Sequence, residues 1–174
     1  MHWLPLMARY NRWADTRLDA CAPGLDEEAY RRDRAAFFGS VRRTLTHLLL
    51  VDRLWSARIQ HREFGIGSLN PILFEGFEGL KDARVEEDEK LIAVVDRLCE
   101  ADLEAPVRHR RITCDRLEEA GAGHILVTLF NHQTHDRGQV HVMLTQARVS
   151  PPPLDIIDCL EEVGEAAPRG TIVA

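Results

Sequence analysis

Residues 40–60, SVRRTLTHLLLVDRLWSARIQ, decide the fold. Thr44, His47, Leu48, Val51, Leu54, Trp55 and Arg58 recur at spacings of three and four, so they share one face of a helix. Ser40 stands before the run as an N-cap, because its hydroxyl can accept a free amide of the first turn. The stripe is apolar except for a histidine within it and polar residues near its ends. It predicts a long helix ending near Gln60 that buries one face.

Three further segments carry the same period. Residues 5–21 place Leu6, Met7, Tyr10, Ala14, Leu18 and Cys21 on one face, with Pro5 suited to a first helical turn. Ala22-Pro23-Gly24 ends that helix, and residues 25–37 read as a connection with one short helical turn. After a loop marked by Gly65, Gly67, Ser68, Asn70 and Pro71, a third helix is expected from about Phe77 to Leu103. It presents Leu80, Arg84, Glu87, Leu91, Val94 and Leu98, with Glu86, Asp88, Glu89 and Lys90 on the opposite side. A fourth helix is expected to start between Gly123 and Ile125 and end near Arg148, its core side made by Leu126, Leu129, Phe130, Val140, Met143, Leu144 and Ala147. Residues 107–114 alternate weakly, as a short strand or hairpin arm. Pro151-Pro152-Pro153 stops the last long helix, residues 154–163 suit a short helix docked on the others, and the chain around Pro168 and Gly170 reads as frayed. Four amphipathic helices without an alternating strand pattern predict an all-α, antiparallel four-helix bundle, whose interior is a natural place for a metal site.

The 174 residues suit one domain, 1–174, with a core over 3–149 and an extension over 150–174. Hydrophobic residues make up 45% and charged residues 29%, a folding composition. A net charge of −6 gives no general attraction for phosphate backbones or anionic lipid, so neither nucleic acid nor membrane is expected as a partner. The basic runs at Arg31, Arg32 and Arg34, at Arg42 and Arg43, and at Arg108, Arg110 and Arg111 are interspersed with acids and read as solvated faces. Cys21, Cys99, Cys114 and Cys159 form no CxxC pair and read as reduced, mostly buried thiols. Met1-His2-Trp3-Leu4-Pro5 lacks a targeting pattern, and no apolar run approaches the ~18 residues of a membrane span, so the expected compartment is the cytoplasm.

The histidines carry the chemistry. Four of eight, His124, His132, His135 and His141, fall on the fourth helix. His132 and Asp136, four residues apart, project from one face at a separation one metal can bridge, and His135 is nearly as well placed. On the second helix His47 sits inside a buried stripe, where an unpaired ring would carry a penalty of about 1 to 3 kcal/mol. Either a metal shared with the fourth helix or a hydrogen bond to another side chain would satisfy it. Glu75, Glu78 and Glu87 are further carboxylates that spacing does not single out. Gly138 inside the fourth helix implies a close helix approach, a local adjustment or a tolerated cost. Trp55 reads first as core packing and second as a substrate platform, and Tyr10 and Trp13 are read in the same way.

Residues 10–14 (YNRWA), 45–55 (LTHLLLVDRLW) and 130–141 (FNHQTHDRGQVH) together resemble the DinB-like (DinB/YfiT-like) superfamily of metal-dependent helical bundles, over about residues 3 to 149. The resemblance implies a homodimeric bundle whose one divalent metal ion is held by positions 47, 132 and 136. This sequence departs from the usual histidine at 136, which is aspartate. Asp136 then binds as the carboxylate of a set suited to Zn, Ni, Fe or Mn, or His135 replaces it, or the metal is lost. The resemblance makes thiol-dependent S-transfer on a small-molecule substrate the first functional hypothesis, with a low-molecular-weight thiol as second cofactor. Gln139 and Arg137 are the residues expected to orient substrate or cofactor. Metal-assisted hydrolysis, iron-dependent oxidation and a noncatalytic, stress-responsive metal-binding dimer are the rival readings.

Overall fold

The computed structural model describes residues 3–114 and 116–163. Four long helices dominate: α1 (Trp3–Asp19), α3 (Val41–Ile59), α4 (Phe77–Val95) and α6 (Ala122–Gln146). Shorter ones are α2 (Glu27–Arg31), α5 (Glu100–Glu104) and α7 (Ile156–Glu162), and β1 (Pro106–Arg110) pairs antiparallel with β2 (Leu117–Gly121). α1 and α3 each pack against both α4 and α6, while β1 lies on α3 and β2 on α6. None of the helices among the described residues is long and apolar enough to cross a membrane.

The local signals act as expected at α3. The Ser40 hydroxyl accepts the Arg43 amide at 3.3 Å, and Leu45, Leu48, Leu49, Val51 and Leu54 are buried. One apolar cluster joins Leu4, Val51, Leu91, Ile125, Leu126 and Leu129; a second joins Leu18, Leu48, Leu80, Val140 and Leu144. α7 docks on α1 within the expected span 154–163: Tyr10 donates its hydroxyl to the Leu154 carbonyl at 2.7 Å and Trp13 its indole N–H to Glu162 at 2.7 Å. Tyr10 is therefore buried core, and Trp13 anchors α7. The expected fraying around Pro168 and Gly170 lies outside the described residues.

Several expectations need correction. The third long helix stops at Val95 instead of Leu103. Tight turns follow, with the Arg97 and Leu98 amides bonded to the Val94 and Val95 carbonyls, both at 3.2 Å. Asp102 then restarts a helix by accepting the Cys99 amide at 2.9 Å. This break lets Leu98 and Leu103 turn back onto the first apolar cluster. α6 begins at Ala122, immediately after β2, a second arm that the sequence pattern does not announce. The cysteines are free as expected, but only Cys159 is buried; Cys21 is half-buried, and Cys99 and Cys114 are exposed. The arginine runs are largely exposed, as expected, and pair with neighbouring acids, Arg31 with Glu27, Arg32 with Glu28 and Arg108 with Glu119. Gly138 makes no close helix contact, because a Cβ built there meets nothing within 4 Å. Removing the flexibility of glycine in a helix should then be purely favourable: Gly138→Ala is expected to raise stability by about 0.5–1 kcal/mol in denaturant unfolding.

Asp88, expected on the outer side of α4, is buried. It belongs to a charged network at the centre of the helices. Arg84 lies 2.7 Å from Asp52, 2.9 Å from Asp88 and 3.7 Å from Asp15. Arg137 reaches Asn11 and Asp15, and Gln133 donates to Asp52 and, at 3.1 Å, to the Leu48 carbonyl. Burial pulls the Arg84 pKa down, yet Asp52, Asp88 and Asp15 together hold it above its ordinary value. Burial pushes the carboxyls up: Asp52 to about 6 and, nearby, Asp19 to about 7, with Asp15 adding repulsion to both. Asp88 is raised for the same reason.

These shifts fix the sign of a pH dependence. A carboxyl with a raised native pKa binds more protons folded than unfolded, so its contribution is complete below about pH 4 and is lost as pH rises through the native value. Over pH 5 to 8 this network is expected to lower unfolding free energy as pH increases. Asp19→Asn should reduce the total loss across that range by on the order of 2 kcal/mol, read from urea midpoints at each pH.

Candidate metal centre

His47 is placed by α3 at mid-helix and fixed from two sides. Its Nδ1 donates to the Leu69 carbonyl at 2.7 Å, and its ring stacks on Phe38 with centroids 4.0 Å apart. A carbonyl only accepts, so Nδ1 carries the proton and Nε2 presents a lone pair. That lone pair faces α6. His47 Nε2 is 3.2 Å from His132 Nε2 and 3.8 Å from Asp136 Oδ2, while His132 Nε2 is 3.1 Å from the same carboxylate oxygen. The i,i+4 spacing on α6 delivers the second and third atoms from one face.

Three donor atoms thus converge from two helices. Asp136 is 3% exposed, and its Oδ2 has no hydrogen-bond partner. Burial lowers the His132 pKa against the pull of Asp136, which favours the neutral ring that offers a lone pair. A buried carboxylate oxygen facing two imidazole nitrogens, at least one of them unprotonated, is an electron-rich arrangement short of a cation. Tetrahedral zinc with bonds of about 2.0–2.2 Å needs donor atoms roughly 3.3–3.6 Å apart. The separations of 3.1, 3.2 and 3.8 Å bracket that range, so the residues fit a divalent ion. His47, His132 and Asp136 form a possible metal-binding group in which one donor atom from each lies within 4.8 Å of the others.

The other residues that the sequence singles out fall in different places around this group. The amide of Gln139 donates to Asp136 Oδ1 at 2.8 Å and so steers Oδ2 toward the imidazoles. Arg137 is engaged by Asn11 and Asp15 in the buried network. His135 is exposed, with Nε2 4.0 Å from Asp136 Oδ1. His141 contacts the Pro152 carbonyl at 3.1 Å. Glu75, Glu78 and Glu87 face Arg42, Lys81 and Arg53.

A cavity of about 430 Å³ opens beside His47 and His132, walled by Val51, Leu54, Ile125 and Trp55. Trp55 therefore both packs on the core and lines this space. The sequence pattern does not reveal Phe38 and Leu69, whose roles come from loops, or the hairpin residues His109 and Glu118 on the cavity wall. Nor does it reveal a second group of convergent acids, Asp15, Asp52 and Asp88. For Asp52 a signal existed, since it stands four residues after Leu48 in the buried stripe. In that second group Arg84 already supplies the cation.

Compared with known proteins, residues 2–166 match the family model described as DinB family. No curated protein matches the chain.

Proposed function

Because this chain belongs to the DinB family, we propose that it holds one divalent metal ion on His47, His132 and Asp136 and uses it on a small-molecule substrate. The observation that carries this reading is the unpartnered, buried Oδ2 of Asp136, which lies 3.1 and 3.8 Å from two imidazole Nε2 atoms. The two-histidine, one-carboxylate set suits iron, manganese or nickel as well as zinc. A metal there supplies Lewis acidity, lowering the pKa of a bound water or thiol. Transfer involving a small thiol is the reaction we assign first.

The protein's own residues prepare that chemistry. Leu69 fixes the His47 tautomer, Phe38 holds its ring plane, and Gln139 aims the carboxylate. The cavity offers the apolar side chains of Val51, Leu54 and Ile125 to whatever binds there. Arg137 is assigned to holding α6 against α1 through Asn11 and Asp15, away from substrate. The antiparallel four-helix arrangement and a homodimeric state belong to the same proposal, and sedimentation equilibrium tests the latter.

Elemental analysis of tag-free protein tests the centre, with about one equivalent of a divalent transition metal expected. A panel of small thiols, assayed with metal-loaded and chelator-stripped protein, tests the reaction. Stoichiometric metal without turnover of any thiol pair would favour a noncatalytic binder.

A further inference from the structure

α3 ends in a reversal that carries charge. The His61 amide donates to the Arg58 carbonyl at 3.0 Å and the Arg62 amide to the Ala57 carbonyl at 2.8 Å, with His61 in the left-handed region at φ 53°. Arg58 and Arg62 therefore stand together at the end of the helix. The hairpin fixes the first of them: Arg58 Nη2 donates to the Arg110 carbonyl at 2.5 Å, and its guanidinium carbon lies 4.7 Å from the Trp55 ring centroid. A groove of about 610 Å³ is lined by Arg58, Arg62 and Arg110 together with apolar Phe64, Ile66 and Leu117. None of His47, His132 and Asp136 lines it.

The positive charge of this groove is not matched from within the chain. Among the described residues Glu63 is the one acid on its lining, and Arg108 is taken by Glu119. No carboxylate of the described residues forms an ion pair with Arg58 or Arg62. Burial pushes the Arg58 pKa below its ordinary value, and the pull of Glu118 offsets only part of that. The Arg110 carbonyl satisfies one N–H donor but brings no charge to neutralise the guanidinium. A guanidinium held in place and short of a counter-ion favours an anion, which accepts charge-assisted hydrogen bonds from its planar fork. Arg58 is half-buried and Arg62 exposed, so both side chains are open to a ligand in the groove.

We infer that this groove binds a small molecule with an apolar body and one terminal carboxylate or phosphate. Arg58 and Arg62 hold the anionic group, and Phe64, Ile66 and Leu117 meet the body. Leu117 is 63% exposed and Phe64 36%, so both have apolar surface for a ligand to cover. The binding needs no metal and stands apart from the reaction assigned to His47, His132 and Asp136.

Octanoate, octyl phosphate and octanol provide the test, because they share a chain and differ at the headgroup. With metal-loaded, isotope-labelled full chain, the anions are expected to bind about five- to tenfold more tightly than the alcohol at low salt, and the preference should shrink at high salt. Shifts should fall on Arg58, Arg62, Phe64 and Leu117, and the tighter anion identifies the headgroup. Arg62→Gln alters an exposed side chain without a partner among the described residues, and should cut the preference about two- to threefold. Arg58→Gln should erase it. Removing the metal by chelation, or His47→Ala, should leave it unchanged, which separates the groove from coordination at the metal. Equal affinities for all three compounds, a preference lost with the metal, or one that survives both arginine substitutions would overturn the inference. So would binding of anionic phospholipid vesicles without binding of the free anions, which would make this patch a membrane contact.

Discussion

Replacing His47 by alanine is expected to abolish stoichiometric metal retention while leaving a folded helical protein. Its Nε2 is one of three donors, and no other histidine ring nitrogen on α3 can take its place, since His47 is the only histidine in that helix. Loss of outer-sphere partners alone lowers metal affinity about 10–100-fold, so loss of a donor should exceed about 100-fold. Competition with a chromogenic chelator measures this directly. Undiminished affinity in His47→Ala would remove the ligand assignment altogether. Asp136→His gives the complementary result: the i,i+4 geometry on α6 is kept, and binding is expected to hold or tighten. A clear weakening would point to His135, whose ring now faces solvent, as a ligand recruited by rotation.

The largest effect on stability is expected at Arg84. Its guanidinium sits among Asp52, Asp88 and Asp15, all nearly inaccessible to water. Arg84→Met keeps most of the apolar stem but leaves several carboxyls facing one another without the cation. Breaking a buried ion pair from one side costs about 3–5 kcal/mol. Denaturant unfolding should show a loss of that size at pH 8 and a smaller one at pH 5, where the carboxyls with raised pKa take up protons. Adding Asp52→Asn and Asp88→Asn to Arg84→Met should recover part of the loss. A loss under about 1 kcal/mol, unchanged by these additions, would show that the network contributes little as a charged unit.

The two experiments probe neighbouring parts of one helix. Gln133, one residue after His132, donates to Asp52 in the network, while Asp136 and Arg137 diverge to the centre and to the network respectively. α6 therefore carries His132 and Asp136 toward His47 on one face and Gln133 and Arg137 toward the buried charges on the adjacent one. The apolar helix period in residues 125–144 marks the helix, but it does not separate these two polar faces, because both are interrupted by apolar neighbours.

Much of the fold was legible because helix formation is read from nearest neighbours. Ser40 caps α3, the apolar spacing of α1 and α6 marks their buried sides, and Pro151-Pro152-Pro153 closes the last long element. Where the reading failed, a long-range contact decided. Asp88 looks solvent-facing beside Glu86 and Glu89, yet Arg84 draws it inward. Leu98 continues the period of α4, yet the turn after Val95 brings it back onto the core. β2, with the sequence LEEAG, has little strand character of its own and is held by pairing with β1.

By itself the sequence determined the long helices and put His47, His132 and Asp136 on faces from which they can meet, since periodicity and i,i+4 spacing are local properties of the chain. Only the tertiary structure decided that two rings 85 residues apart bring their Nε2 atoms to 3.2 Å, and that the Leu69 carbonyl turns the His47 lone pair toward α6. It alone joined His109 to Glu118 across the hairpin and opened a cavity that they line together with His47 and His132. Convergence of atoms depends on how separate elements pack, and no spacing within one element carries that information.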